Sequence, residues 1–262
     1  MNYTFCSQTD PGRIRANNED AVAIDETAQF AVLADGMGGY NAGEVASGMA
    51  TTLIRSELAS CLSPTGEQPT IAELKLAIED IVARANREIV DAARATPHYE
   101  GMGTTLVVAV FREQQLLVGH IGDSRCYRLR GKEFLQLTRD HSLLQEQLDA
   151  GWLTPKQALS SPIRNLVTRG LGVADEVLLD LHEHQVLPGD LYLLCSDGLS
   201  DMVQDKEIAK ILRQRQLLQQ MADDLVAKAN ENGGKDNITV VLAQASGQAE
   251  EPRLISSWRW NQ

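Results

Sequence analysis

Residues 104–137 have the sequence TTLVVAVFREQQLLVGHIGDSRCYRLRGKEFLQL, and this stretch decides the fold class. Two runs rich in β-branched and apolar residues, 104–111 and 116–121, are separated by a short polar connection. Two further runs, 125–130 and 133–137, are separated by a Gly-Lys dipeptide. Short apolar runs joined by such connections are typical of β-hairpins. We therefore predict two hairpins here and sheets that are mostly antiparallel.

Segments with helical periodicity occur in pairs on both sides of these hairpins. Apolar residues recur every three or four positions in 43–58 and 71–92, and we also predict helices at 206–214 and 217–231. Each pair could cover one face of a sheet. The order of strands and paired helices favours an α+β fold over an alternating βαβ fold.

Other apolar runs predict strands at 30–34, 177–186, 191–195 and 238–243. We expect a turn at 188–190 to join the second of these strands to the third, because it contains Pro, Gly and Asp.

Composition excludes several classes of protein. The 262 residues include 36 Asp and Glu against 24 Lys and Arg, so the net charge is −12 and nucleic acid is not the expected partner. No apolar run is long enough to span a membrane, and the N-terminus does not resemble a secretory signal. We therefore expect a cytoplasmic protein and no membrane contact. The cysteines form no CxxC pair, and we expect free thiols at Cys6, Cys61, Cys126 and Cys195.

The chain shows no repeat or linker before about residue 245. We predict one domain over residues 1–245 and a short polar tail over 246–262. The tail contains Trp258 and Trp260, and for it an ordinary chain end is favoured over a docking segment.

Four aspartates share one setting: each borders a predicted strand and has a glycine close to it. They are Asp35, Asp123, Asp197 and Asp236. One Asp-Gly pair alone is typical of a turn. Four such carboxylates at one rim would repel each other unless cations neutralised them, and oxygen ligands select Mg²⁺ or Mn²⁺. The pattern therefore predicts a site for two hard divalent cations.

The glycines after Asp35 also suggest a dinucleotide-binding loop. The G-x-G-x-x-G spacing fails because Asn41 stands at the last glycine position, and Asp35 would repel a pyrophosphate. We therefore reject nucleotide binding at this loop.

Seven ordered motifs, between residues 12 and about 241, resemble those of the PP2C-type (PPM) metal-dependent serine/threonine phosphatases. They are Gly12-x-x-Arg15-x-x-Asn18-Glu19-Asp20, Asp35-Gly36-Met37-Gly38-Gly39, Gly103-Thr104-Thr105, Gly122-Asp123-Ser124-Arg125, Asp140-His141-Ser142, Ser196-Asp197-Gly198-Leu199 and Asp236-Asn237-Ile238-Thr239. The sequence is similar to compact bacterial members. The resemblance implies a four-layer α-β-β-α sandwich, in which two antiparallel sheets are flanked by helix pairs.

The resemblance also implies a ligand set. Asp35 would bridge two metal ions and the carbonyl of Gly36 would bind one of them, while Asp197 and Asp236 would hold the other. Asp123, together with Asp197, matches the ligands of a third, weaker ion.

Further roles follow from the same motifs. Asp20 and Glu19 would contact the metal ions through bound water or directly, and Arg15 matches the phosphate-binding arginine. Residues 142–172 match a variable flap that is thought to influence the choice of substrate.

One position departs from the pattern of animal relatives, which have a histidine proposed as the general acid where this chain has Met37. A thioether cannot donate a proton. His141 is a candidate replacement, although a structural role beside Asp140 is favoured, and Asn237 is a further candidate site residue.

The predicted reaction is hydrolysis of phosphoserine or phosphothreonine in proteins, through in-line attack by a hydroxide held between two Mn²⁺ or Mg²⁺ ions. The substrates would be products of a Ser/Thr kinase, and we expect a monomer. The rival hypothesis is a catalytically inactive, phosphoprotein-binding regulatory module of the same fold. Activity on small metabolites or phosphotyrosine also remains open.

Overall fold

The computed structural model describes residues 1–38, 42–64, 66, 68–158, 166–214 and 216–247. The strands are β1 (Asn2–Asp10), β2 (Asp20–Asp25), β3 (Phe30–Met37), β4 (Gly103–Thr104), β5 (Leu106–Arg112), β6 (Gln115–Ile121), β7 (Arg125–Arg130), β8 (Glu133–Gln136), β9 (Asp180–Gln185), β10 (Leu191–Cys195) and β11 (Ile238–Ser246). The helices are α1 (Ala42–Cys61), α2 (Ile71–Ala95), α3 (Leu143–Asp149), α4 (Pro155–Ala158), α5 (Asp197–Ser200), α6 (Asp205–Leu212) and α7 (Leu218–Glu231). Beyond Gly247 the predicted tail lies outside the described residues, as do Gly39 and residues 159–165 of the flap.

The strands form two antiparallel sheets. The first has the order β1-β11-β10-β7-β8, and the second has the order β2-β3-β5-β6-β9 with the short β4 paired to β3. Both predicted hairpins are present, since β5 pairs with β6 and β7 pairs with β8 in antiparallel register.

Central strands bury both of their faces, which explains why their sequences are continuously apolar. In β10, Leu191 and Leu193 face the layer that contains α6 and α7, whereas Tyr192 and Leu194 face the other sheet. Side chains alternate between the two faces of a strand, so one short run contributes to two separate cores.

Three apolar cores separate four layers. One lies between the second sheet and the helices α1 and α2, one lies between the two sheets, and one lies between the first sheet and the helices α5 to α7. The order is therefore α-β-β-α, as the resemblance implies, and the prediction of an α+β fold is confirmed.

The turn at 188–190 does not close a hairpin. It joins β9 to β10, but β9 pairs with β6 in the second sheet, whereas β10 lies between β7 and β11 in the first. The connection therefore carries the chain from one sheet to the other.

Within the described part of the chain, no helix has the length and apolar character needed to cross a membrane. All four cysteines are free thiols, and Cys126 and Cys195 are buried.

Candidate active site

An acidic cavity of about 290 Å³ opens where strands of both sheets end. Its described lining residues are Arg15, Glu19, Asp35, Gly36, Met37, Gly38, Thr105, Asp123, Val167, Asp197 and Asp236. Segments that are distant in the sequence therefore meet at one rim, as the four strand-end aspartates predict.

Asp35 is placed in the cavity by strand pairing. Antiparallel pairing of β2 with β3 puts Asp20 directly opposite Asp35. Thr105 fixes the backbone of Asp35 from the other side, because its hydroxyl accepts a hydrogen bond from the Asp35 amide at 3.1 Å and its own amide donates to the Asp35 carbonyl at 2.9 Å. β2 on one side and Thr105, between β4 and β5, on the other thus fix the backbone of Asp35.

Asp197 is the first residue of the short helix α5, directly after β10. The preceding Ser196 donates its hydroxyl hydrogen to Asp20 Oδ2 at 2.8 Å and accepts a hydrogen bond from the Thr239 amide. A Cβ atom at Gly198 would lie only 2.0 Å from the carbonyl oxygen of Asn237, so α5 can approach β11 only with glycine here.

Asn237 holds the N-terminal loop against the cavity. Its Oδ1 atom accepts a hydrogen bond from the Glu19 amide at 2.8 Å, and its Nδ2 atom donates to the carbonyls of Pro11 and Asn17 at 3.1 and 2.8 Å. The side chain is buried, so these hydrogen bonds are shielded from water. Asn237 therefore supports the loop that carries Arg15 and Glu19.

Arg15 lies at the mouth of the cavity. Its Nη2 atom is 2.7 Å from Asp236 Oδ2, and about half of its side chain (52%) is exposed to solvent. The hydrogen bond to Asp236 raises the pKa of Arg15, so the group stays cationic.

Gly36 and Gly43 allow β3 to contact the start of α1. A Cβ atom at Gly36 would lie 2.2 Å from the Gly43 carbonyl oxygen, and one at Gly43 would lie 2.6 Å from Glu19 Oε2. The backbone of Gly36 can therefore line the cavity.

Asp123 follows Gly122, whose positive φ of 102° is readily adopted by glycine. The Asp123 side chain is buried, with 7% of its surface exposed. Two residues later, Arg125 forms an ion pair with Asp140 at 2.6 Å, and this pair anchors the start of β7 beside the cavity.

The electrostatics of the site are unfavourable for so many negative charges. Burial, and then the charges of the neighbouring aspartates, raise the pKa of Asp35 and Asp197 well above the ordinary range of an aspartate. Burial raises the pKa of Asp20 to about 6, and burial together with the charge of Asp140 raises that of Asp123 to about 6. Burial also raises the pKa of Glu19, with further contributions from Asp236 and Glu44. Neutralising cations would relieve this repulsion.

The donor set fits hard divalent cations. Asp20 Oδ1 is buried and has no hydrogen-bond partner among the described residues, so a carboxylate oxygen is left over at the site. Asp20 itself is not among the described residues that line the cavity. Those that do include five carboxylates and the backbone of Gly36, and carboxylate and carbonyl oxygens are the ligands that Mg²⁺ and Mn²⁺ prefer; the carboxylates are Glu19, Asp35, Asp123, Asp197 and Asp236.

His141 is not among the described residues that line the cavity. Its Nδ1 atom accepts a hydrogen bond from the Gly122 amide at 3.1 Å, and its Nε2 atom is 3.1 Å from Asp180 Oδ2. Met37 does line the cavity.

Several residues that shape this site have no role that the sequence alone predicts. Ser196 and Thr105 stand inside the quoted motifs, but only the structure shows what their hydroxyls contact. Asp201 lies one helical turn after Asp197, and its charge contributes to the raised pKa of Asp197 and Asp123. Its spacing of four residues from Asp197 was the available signal.

A larger cavity of about 890 Å³ lies between the first sheet and the loop that joins α6 to α7. No acidic residue is among its described lining residues, which are mainly apolar or amide side chains with Arg213. Of these two cavities, the smaller one therefore contains the acidic groups.

Comparisons with known proteins agree with this geometry. The model of the family described as protein phosphatase 2C matches residues 13–243. The serine/threonine phosphatase stp of Listeria innocua is 39% identical over 240 residues, which cover 90% of this chain and 94% of that protein. The protein phosphatase PhpP of Streptococcus pneumoniae is 38% identical, with coverage of 93% and 98%.

Solved structures show the same fold. The crystal structure of the Mycobacterium tuberculosis serine/threonine phosphatase PstP/Ppp superposes with a TM-score of 0.83 at 39% identity, and the match covers 94% of this chain and all of that one. The catalytic domain of PstP in complex with two manganese ions superposes with a TM-score of 0.80 at 38% identity, with coverage of 94% and 99%.

Proposed function

The chain belongs to the protein phosphatase 2C family, and from this premise we propose that it hydrolyses phosphoserine and phosphothreonine in proteins. It is a metal-dependent hydrolase, since relatives at 38–39% identity are named protein phosphatases and one related catalytic domain contains manganese. These relatives favour the enzyme over the inactive regulatory module.

The observation that carries the proposal is the convergence of Asp35, Asp123, Asp197 and Asp236 on one cavity. A module that only bound phosphoproteins would gain nothing from four carboxylates at this place, because they repel phosphate. Cations held by the carboxylates would reverse the sign of that interaction.

We assign the ligands residue by residue. Asp35 would contact both central ions, the carbonyl of Gly36 would contact one of them, and Asp197 and Asp236 would hold the other. Asp20 and Glu19 would contribute through water or directly, and Asp123 would take part in a third, weaker site. We propose Mn²⁺ or Mg²⁺ for all of these positions. Two such ions lower the pKa of water and offset the negative charge that develops on a phosphoryl group.

The protein's own groups orient the substrate. We propose that the guanidinium of Arg15 binds two non-bridging oxygens of the phosphate, because its planar pair of N–H donors matches the spacing of those oxygens. Arg15 would become available for this contact when a cation competes with it for Asp236. The cavity is open at Arg15, which leaves room for a phosphorylated side chain to enter with its peptide outside.

The departing serine or threonine oxygen needs a proton. Met37 lines the cavity at the position expected for the general acid but has no proton to give. The proton therefore comes from water in the open cavity or from another side chain. His141 is a poor source, because both of its ring nitrogens already have partners.

The physiological setting rests on the same proposal. The substrates would be proteins phosphorylated by a Ser/Thr kinase, and residues 142–172 would act as the flap that influences their selection. One catalytic domain over 1–245, a monomeric state and a cytoplasmic location stay predictions. The predicted domain end falls one residue before the end of β11 at Ser246.

A turnover assay tests the proposal. Purified protein should hydrolyse para-nitrophenyl phosphate and a phosphothreonine peptide with Mn²⁺, should lose this activity in EDTA, and should regain it when Mn²⁺ is restored in excess. Asp197→Ala should abolish turnover, whereas Asp91→Asn, an exposed carboxylate on α2, should not affect it. Full activity in EDTA, or wild-type kcat in Asp197→Ala, would contradict the proposal.

A further inference from the structure

A second cluster of ionisable groups lies next to the cavity, behind the loop that carries Asp123. It consists of His120, His141 and Asp180, with one ligand atom from each within 4.8 Å of the others. The two imidazole rings stack with their centroids 4.7 Å apart and an interplanar angle of 18°. Two histidines and one carboxylate are a common metal-binding set, so a metal site is the first hypothesis.

The hydrogen bonds of His141 argue against a metal here. An amide N–H only donates, so the Gly122 amide fixes a lone pair on Nδ1 and the proton of the neutral ring must be on Nε2. The Nε2–H group then donates to Asp180 Oδ2, and a protonated nitrogen cannot coordinate a metal. Arg169 adds a positive charge, with Nη1 3.2 Å from Asp180 Oδ1. The same Nη1 atom is 3.4 Å from His141 Nε2 but cannot donate to it once Nε2 carries the proton, so we assign its hydrogen bond to Asp180.

The ring and backbone hydrogen bonds of His141 together connect two sides of the catalytic cavity. On one side, His141 binds both polar backbone groups of Gly122: its amide donates to the Gly122 carbonyl at 2.9 Å, and its Nδ1 atom accepts from the Gly122 amide. On the other side, its carbonyl accepts from the Thr168 amide at 2.8 Å. Asp123 follows Gly122 and Val167 precedes Thr168, and both line the cavity.

The surroundings make this connection stiff. His141 is 7% exposed, so water does not compete for its ring nitrogens. Residue 122 packs closely against Thr105 and must be glycine, because a Cβ atom there would lie 2.7 Å from the side chain of Thr105. Burial alone would raise the pKa of Asp180, but the hydrogen bond from His141 and the nearby positive charge outweigh it and lower that pKa, so Asp180 remains an ionised acceptor.

We propose that His141 is a positioning residue: its Nδ1 atom orients Asp123 through the Gly122 amide, and its Nε2 atom anchors the adjacent edge of the flap, residues 166–169, through Asp180 and Arg169. Cation binding at Asp123 and the position of the flap are thereby coupled in one side chain. The inference rests on the proposed role of Asp123 as a cation ligand.

Two conservative variants separate the two functions of the ring. In His141→Asn, the amide oxygen occupies the place of Nδ1, so the contact to Gly122 is kept and the contact to Asp180 is lost. In His141→Gln, the amide nitrogen reaches the place of Nε2, so the contact to Asp180 is kept and the contact to Gly122 is lost. Both variants keep the backbone hydrogen bonds of residue 141, and thermal unfolding would verify that both are folded.

The first readout is Mn²⁺ binding by calorimetry without substrate. We expect His141→Gln to weaken the Asp123-dependent site about tenfold, the effect of losing one buried hydrogen bond, and His141→Asn to stay within about twofold of the wild type. In the background of Asp123→Asn, His141→Gln should have no further effect on Mn²⁺ binding, because the two residues act as one unit. Equal Mn²⁺ affinity in wild type and His141→Gln, or additive effects of the two substitutions, would overturn the proposal.

The second readout is kinetic. We expect His141→Asn and Asp180→Ala to raise KM for a phosphothreonine peptide several-fold more than KM for para-nitrophenyl phosphate, because the small substrate does not need the flap. Equal losses on both substrates would contradict a role in the flap. A wild-type protein that binds Mn²⁺ but has no phosphatase activity would instead refute the proposed function, so the two failures are distinguishable.

Discussion

Replacing Asp123 by asparagine should stabilise the metal-free protein, although it removes a residue of the active site. The carboxylate is 7% exposed, and burial with the charge of Asp140 raises its pKa from 3.8 to about 6. A raised pKa means that the ionised form destabilises the folded state at pH values above it, and one pKa unit is about 1.4 kcal/mol. Asp123→Asn should therefore raise the free energy of unfolding by about 3 kcal/mol at pH 8 in EDTA.

The gain should depend on pH in a defined direction. The destabilisation by ionised Asp123 is complete above the folded-state pKa of about 6 and disappears below the unfolded-state pKa of 3.8. The stability gained in Asp123→Asn should therefore fall to about half at pH 5. Urea unfolding of wild type, Asp123→Asn and the exposed control Asp91→Asn at pH 5 and pH 8 measures it. With saturating Mn²⁺ the order should reverse, because the variant loses a ligand. A variant that is no more stable than wild type at pH 8 in EDTA would refute the electrostatic argument.

Three further predictions concern glycine contacts and phosphate binding. Gly198→Ala should lower the free energy of unfolding in urea by more than about 2 kcal/mol, because the added Cβ would lie 2.0 Å from the carbonyl oxygen of Asn237. An unchanged urea midpoint would show that α5 can move away from β11. Gly48→Ala in α1, where a Cβ meets nothing within 4 Å, should stabilise the same fold by about 0.5–1 kcal/mol, and a loss would reveal a contact that the structure does not show. Arg15→Ala should raise KM for a phosphopeptide about tenfold or more, because it removes a charge-assisted contact to phosphate, and steady-state kinetics with unchanged KM would place the phosphate elsewhere.

Local sequence patterns were sufficient to predict the two hairpins and the paired helices. The runs in β5 and β6 are apolar at nearly every position because the second sheet is buried on both faces, between α1 and α2 on one side and the first sheet on the other. The sequence did not indicate β1, whose apolar and polar residues are mixed and which pairs with β11 at the other end of the described chain. It also did not show that β9 and β10 belong to different sheets, because a short turn has the same local signal in both cases.

The candidate site could be predicted from the sequence where its residues lie at the ends of strands. Asp35, Asp123 and Asp197 could be found from an apolar run followed by Asp and Gly, but the position of Asp20 opposite Asp35 is a matter of strand register. The hydrogen-bond partners of Asn237 and His141 could not be inferred either, although a structural role was favoured for His141, because these partners lie in segments distant in the chain. Such contacts follow from the tertiary fold, which no local window of sequence contains.

The central claim is that aspartates from four distant segments hold divalent cations in one cavity. Anomalous diffraction from crystals of this protein grown with Mn²⁺ tests it most directly. We expect two strong peaks among Asp35, Asp197 and Asp236, with the carbonyl of Gly36 as a ligand, and a weaker peak beside Asp123. Peaks located elsewhere, or an empty cavity at saturating Mn²⁺, would contradict it.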